Sequence, residues 1–145
     1  MKLQIEPATQ QQLADRVSWH YEPPYDFYDD DGKPVKNPER FFVARDENGD
    51  VVGFFYFERR RAGLFYGLGL RPDLTGRGVG IEFVRAGIDF ARSRFRPNRI
   101  VLDVAEFNVR ARKVYERAGF REIGRHVETF DRWGEVPFVD MELVL

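Results

Sequence analysis

Two short stretches of this chain place residue types at spacings that could do chemistry. In the first, Thr75-Gly76-Arg77-Gly78-Val79-Gly80, three alternate glycines follow a strand-like run, Leu64 to Leu70, and open a helical pattern. Glycine lets backbone approach a ligand closely and take positive φ. The first N–H groups of a helix have no partner inside it and lie at the positive end of its dipole. Together these features make an anion site, with phosphate the usual guest. The same letters also spell a tight strand-to-helix turn with no ligand, because short glycine motifs are common. Two other phosphate sites fail on spelling. No Gly-x-x-x-x-Gly-Lys-Ser/Thr run exists, which excludes a P-loop. A dinucleotide fingerprint needs a third glycine where Phe83 stands.

The second stretch is Phe107 to Phe120. Asn108 can cap a helix that runs through Ala118, and Gly119 is a natural stop. Tyr115 lies about two helical turns after Asn108, so both face one side. A phenol placed there can donate a hydrogen bond or a proton. The alternative is a capping Asn and a core Tyr whose hydroxyl finds a backbone partner. A third group is less ordered: Trp19, Tyr21, Tyr25, Phe27 and Tyr28 alternate with Glu22, Asp26, Asp29, Asp30 and Asp31. Aromatics mixed with carboxylates suit a cationic or amine ligand, and they also describe a solvated acidic loop over buried rings.

The elements that must hold these residues can be read from periodicity. Lys2 to Glu6 reads as a strand, and Thr9 caps a helix reaching about His20 with Leu13 and Val17 on one face. Tyr21 to Pro38 holds four prolines and reads as irregular, with room for a short helix near Tyr25–Tyr28. Arg40–Arg45 and Val51–Glu58 flank Asn48-Gly49, a hairpin signature. After the strand Leu64–Leu70 and the glycine turn, Ile81, Val84, Ile88, Ala91 and Phe95 keep helical spacing. Arg99 to Ala105, Phe120 to Phe130 and Val136 to Val144 read as strands. The order β-α-β-β-β-α-β-α-β-β mixes hairpins with crossovers. It predicts an α/β (α+β) fold, with a mixed, mostly antiparallel sheet of six to seven strands and helices on both faces.

The whole composition bounds what such a fold can do. The chain has 145 residues, 43% of them hydrophobic and 32% charged, which suits one domain over residues 1–145 with a core needing no staples. Cysteine is absent, which removes disulfides, thiolate metal sites and a cysteine nucleophile. His20 and His126 are the only histidines, so no metal centre is expected. A net charge of −1 gives no case for nucleic-acid binding. The first residues lack a signal-peptide core and no run is long enough to span a membrane, so a cytoplasmic location is expected.

Taken together, the two motifs resemble those of the GNAT superfamily of N-acetyltransferases. Its first motif, Gln/Arg-x-x-Gly-x-Gly/Ala after a strand, is matched by Thr75 to Gly80. Its second, Asn-x-x-Ala-x-x-x-Tyr-x-x-x-Gly-Phe, is matched by Asn108, Ala111, Tyr115, Gly119 and Phe120. Thr75 departs from the usual Gln or Arg. The resemblance covers Val51 to Leu145 well and Lys2 to His20 more loosely. It implies a cleft between two splayed strands, Leu64–Leu70 and Arg99–Ala105, holding acetyl-CoA as cosubstrate and no metal. The pantetheine arm would pair with Leu68, Gly69 and Leu70. The pyrophosphate would rest on Gly76, Arg77, Gly78, Val79, Gly80 and Ile81, and Asn108 would hold the arm.

The resemblance also implies roles for the reacting groups. Tyr115 would protonate the leaving thiolate. Asp103 or Glu106 would take the amine's proton, unless both only form ion pairs. Tyr21, Tyr25 and Tyr28 would line the pocket of an amine acceptor, small molecule or peptide. A homodimer stays open. So do a non-catalytic acyl-CoA sensor and an interaction domain with an empty cleft, since fold does not fix function.

Overall fold

The computed structural model describes residues 2–145, which form one seven-stranded sheet. The strands are β1 (Gln4–Pro7), β2 (Phe41–Arg45), β3 (Val51–Arg60), β4 (Gly63–Leu70), β5 (Arg99–Ala105), β6 (Arg121–Phe130) and β7 (Gly134–Val144). The helices are α1 (Gln10–Asp15), α2 (Gly80–Phe95) and α3 (Val109–Arg117). Spatial order is β1-β2-β3-β4-β5-β7-β6. Every pair is antiparallel except β4 with β5, which α2 connects. The mixed, mostly antiparallel sheet expected from the element order is therefore present.

The period-two alternation of strands assigns side chains to the two faces. Phe42, Phe55, Phe57, Tyr66 and Leu102 point to the face covered by α2 and α3, where they meet Phe83, Val84 and Ile88. Val43 and Phe54 point the other way and cluster with Leu13 of α1. Because both faces are covered there, Val52 to Phe57 is almost continuously apolar. Burying each such ring contributes about 1.5–3 kcal/mol. Stacking adds to it, as between Phe55 and Phe83 with centroids 4.5 Å apart. Gly87 sets how closely α2 can sit: a Cβ there would lie 1.9 Å from the Tyr66 hydroxyl. That hydroxyl reaches past it to donate to Val84 O at 3.0 Å.

Some elements differ from the sequence reading. The first helix is shorter than expected. Thr9 and Gln12 form a reciprocal capping box, but after Asp15 the chain tightens into a 3-10 turn, Arg16–Ser18. The tighter turn shifts the phase of the side chains. Leu13 is buried, whereas Val17 is 45% exposed. Arg16 turns inward instead, pairing with Asp30 at 3.0 Å and lying over the Phe41 ring. The short helix expected at Tyr25–Tyr28 is a single 3-10 turn. Strand β3 runs two residues past Glu58, since Arg60 pairs with Gly63 across a two-residue hairpin.

The feature that makes a site is the failure of β4 and β5 to stay together. They pair only at Leu64–Ile100 and Phe65–Val101. Each keeps its outer partner along its whole length, β3 for β4 and β7 for β5. From Tyr66 and Leu102 onward, the facing edges have no strand between them. Arg71 N–H donates to Val52 O at 2.8 Å. By the alternation of an antiparallel ladder, Leu70 then turns its own N–H and C=O away from β3, into the gap.

Candidate active site

A cavity of about 1140 Å³ opens at this gap. Leu68, Gly69 and Leu70 line it from β4, and Asp103 lines it from β5. Gly76, Gly78, Gly80 and Ile81 close one end, while Asn108 and Tyr115 of the α3 region form a wall. Tyr21, Tyr25 and Tyr28 cover it from the irregular segment. The structure thus brings most of the sequence-predicted residues to one cavity. Arg77 and Val79 lie in the turn without lining it, and Glu106 is separated from it. The Glu106 carboxylate pairs with Arg125 at 3.1 Å, and its N–H donates to Pro137 O.

The glycine turn has the conformation that its composition allows. Gly76 and Gly78 take φ of +72° and +79°, which L side chains rarely adopt. Val79 occupies the N-cap of α2, and its side chain makes no cap to the first N–H groups. Thr75 donates its hydroxyl to Pro72 O at 2.7 Å. It therefore fastens the turn to the 3-10 turn before it, Pro72–Leu74. Arg110 supplies positive charge beside this turn. One of its guanidinium nitrogens lies 3.4 Å from where a Cβ on Gly76 would be, and the group sits 4.2 Å from the Tyr25 ring centroid. The cationic partner of Tyr25 is thus a residue of the protein itself.

At the opposite wall, Asn108 caps α3 by accepting from Ala111 N–H at 3.1 Å. Its amide nitrogen donates to the Tyr28 hydroxyl at 3.2 Å, leaving one amide hydrogen for a ligand. Tyr21 donates to Leu70 O at 2.7 Å, and its N–H is held by Asp29 at 2.8 Å. This pair staples the irregular segment onto the free edge of β4. Burial, with the charge of Asp29 adding, pushes the Tyr21 phenol up to about 12.

Burial also pushes the Tyr115 phenol well up, with Tyr28 and Asp103 adding to it. Tyr115, Tyr28 and Asp103 therefore feel one another at one point of the cavity. The Asp103 carboxyl is raised above its ordinary 3.8, first by burial and then by Glu128, with His126 opposing. Burial raises both groups, which favours the protonated phenol and the protonated carboxyl.

Several lining residues were not anticipated. Tyr56, Glu58 and Phe65 face the cavity beside Trp19. Tyr56 and Glu58 follow Phe54 at alternate positions of β3, a period-two signal that the sequence carries. Glu58 accepts from Tyr56 at 2.8 Å and from Arg60 at 2.6 Å, and it also pairs with Arg40. Its carboxyl is held low, chiefly by Arg60 and then by Tyr56.

Comparison with known proteins fits this geometry. The model of the acetyltransferase (GNAT) family matches residues 5–120.

The chain belongs to the acetyltransferase (GNAT) family.

Among relatives within it, a mycothiol acetyltransferase of Propionibacterium freudenreichii subsp. shermanii is 38% identical over 96 residues, covering 63% of this chain and 30% of that protein. One from Mycolicibacterium gilvum is 32% identical over 114 residues, covering 71% of this chain and 38% of the relative. The chain thus spans about a third of the length of these relatives. Among solved structures, a spermidine N-acetyltransferase SpeG chimera from Vibrio cholerae and hSSAT superposes with a TM-score of 0.81 at 20% identity, covering 99% of this chain and 96% of the other. The Vibrio cholerae spermidine N-acetyltransferase in complex with CoA and spermine gives a TM-score of 0.72 at 18% identity, with 98% and 95% covered. At such identities the likeness is one of GNAT fold. Among the described residues, no helix is long and apolar enough to cross a membrane.

Proposed function

We propose that residues 1–145 act as one acetyl-CoA-dependent N-acetyltransferase domain, moving an acetyl group to a primary amine by direct attack in a ternary complex. The observation that carries this reading is the parting of β4 from β5 after Phe65, which leaves the Leu70 N–H, beside a C=O that accepts from Tyr21, facing a cavity continuous with the glycine turn. An extended pantetheine arm fits such an edge as an added strand, and a pyrophosphate fits uncapped helix N–H groups beside Arg110.

In this reading Leu68, Gly69 and Leu70 hold the arm. Gly76, Gly78, Gly80 and Ile81 hold the phosphates. The relatives named above are, by name, mycothiol acetyltransferases and spermidine N-acetyltransferases, and the second name is that of an amine acetyltransferase. For this chain the acceptor enters beside Tyr28, Tyr56 and Phe65.

The chemistry has three requirements. The acceptor arrives as an ammonium and must lose a proton, and Asp103 is a half-buried carboxylate lining the cavity. The thioester oxygen must be polarised, and the free N–H of Leu70 points into the gap. The departing thiolate must gain a proton. In this reading Tyr115, which lines the cavity with its phenol protonated, gives that proton. Glu106, tied to Arg125 outside the cavity, is not assigned a role.

Two measurements test the proposal in sequence. Acetyl-CoA should raise the melting temperature. Free thiol should then appear when acetyl-CoA is offered with a panel of primary amines. A melting shift without turnover against any amine would leave a non-catalytic acyl-CoA binder. No shift would overturn the cofactor assignment itself.

A further inference from the structure

His126 lies outside the main cavity, on the face of β5, β7 and β6 that also carries Asp103, Phe138 and Asp140. There Asp103, Asp140, His126 and Glu128 meet in a second, smaller depression of about 450 Å³. Asp103 lines both cavities, as do Arg60 and Phe65. One carboxylate therefore borders the reacting centre on one side and this depression on the other.

The arrangement around His126 is ordered on three sides. The ring stacks on Phe138, with centroids 5.3 Å apart and planes 13° apart. Nδ1 lies 2.9 Å from Asp140, which fixes that nitrogen as the protonated one in the neutral ring. Nε2 then offers its lone pair toward Asp103 at 3.7 Å and Glu128 at 3.4 Å. Register explains the meeting: Asp103 is the direct partner of Asp140 across β5 and β7, and Gly124, two residues before His126, is the partner of Asp140 on β6. The flanking charges are otherwise committed. Arg125 pairs with Glu122 and Glu106, Arg60 with Glu58, and Glu142, further along β7, with Arg121 and Arg99.

We infer that His126 is a positioning residue that receives from Asp103 the proton taken off the acceptor amine and releases it to solvent on that face of the sheet. This rests on the acetyltransferase reading, with Asp103 as the base. The protons balance. An ammonium acceptor carries one proton more than the attacking amine; that proton passes to Asp103, then through one bridging water across the 3.7 Å gap to Nε2, then to bulk water. A second proton leaves nitrogen as the amide forms and offsets the one that Tyr115 gives to the thiolate. The imidazolium formed in transit faces Asp140, Glu128 and Asp103, three carboxylates that stabilise it. In line with this, the His126 pKa is raised, first through Asp140.

The test uses the whole chain with His126→Gln and Asp140→Asn. Gln keeps a hydrogen-bonding group near Asp140 but cannot carry a proton. His126→Gln should lower kcat/KM about tenfold or more at neutral pH. The defect should shrink as pH rises toward the acceptor's own pKa, where the amine arrives neutral, and small buffers such as imidazole should restore part of the rate. The acetyl-CoA melting shift should be unchanged. A wild-type pH profile in His126→Gln, beside a strongly impaired Asp103→Asn, would overturn the relay while leaving the base in place. A uniform loss that neither pH nor buffer moves would show a structural role and overturn it too. Activity abolished by a chelator and restored by a divalent cation would do the same. Should the protein acetylate no amine, an NMR titration still decides. Asp103→Asn should lower the His126 pKa in the resting protein, and an unchanged titration would break the link between the two residues.

Discussion

The two ends of the cavity are made of different material. The end proposed for acetyl-CoA is mostly backbone: the free edge of β4 at Leu68 and Leu70, and the turn at Gly76, Gly78 and Gly80. The end proposed for the acceptor is mostly side chains: Tyr28, Tyr56 and Phe65, with Asp103 between. A backbone site recognises what all acyl-CoA molecules share, an extended amide-bearing arm and phosphates. A side-chain site can be rebuilt one residue at a time. This division lets one fold keep its cosubstrate while its acceptor changes, and it tells where each kind of substitution should act.

The sharpest way to break the comparison is at the point where the two ends meet. Tyr115→Phe keeps the ring that packs against the core and removes only the hydroxyl. General-acid catalysis contributes about a hundred- to ten-thousand-fold, so turnover should fall within that range while acetyl-CoA affinity and melting temperature stay near wild type. A full rate across the pH range would return Tyr115 to a packing role. The same region should show a pH dependence. Asp103 must be ionised to accept a proton, and its carboxyl is raised above 3.8. The acid limb of kcat/KM should therefore lie above the ordinary Asp range, with activity falling about tenfold per pH unit below it and the limb vanishing in Asp103→Asn. A limb at ordinary Asp values would point to a solvated base elsewhere.

Smaller effects should separate the two ends. Gly78→Val puts a β-branched residue at φ +79°, where nothing crowds the Cβ but the backbone itself is strained. Acetyl-CoA affinity should drop about tenfold or more, about 1.4 kcal/mol, with acceptor KM moving little in whatever turnover remains. Calorimetry against acetyl-CoA checks it, and equal loss for both substrates would contradict a backbone-only cofactor end. Tyr28→Phe removes the acceptor of the Asn108 amide bond, worth about 1 kcal/mol. Acceptor KM should rise roughly fivefold while acetyl-CoA affinity is kept. The reverse pattern would assign Tyr28 to the cosubstrate.

The same contrast governs how much the sequence revealed. The glycine turn was legible because positive φ has one cheap solution, glycine, and a helix start follows it. The Asn108–Tyr115 pair was legible because helical spacing alone sets its facing. Val17 misled, because an amphipathic pattern does not say where an α-helix tightens into a 3-10 turn. Glu106 misled for a different reason. Its spacing from Asp103 left its direction open, and the pairing with Arg125 was fixed only when β6 folded alongside.

Sequence by itself determined the order of elements, the hairpin at Asn48-Gly49, the conformation of the turn and the two motif faces. These are local: each depends on the dihedral and periodic preferences of residues within a few turns of one another. Tertiary structure alone decided three things. It set where β4 leaves β5, which residues of β3 reach the cavity, and that Asp103, His126 and Asp140 share one face. Those depend on register between strands distant in the chain. A shift of one residue in register reverses every side chain from one face to the other. The register is set by packing the whole sheet between its helices, a sum over the core that no single segment of sequence contains.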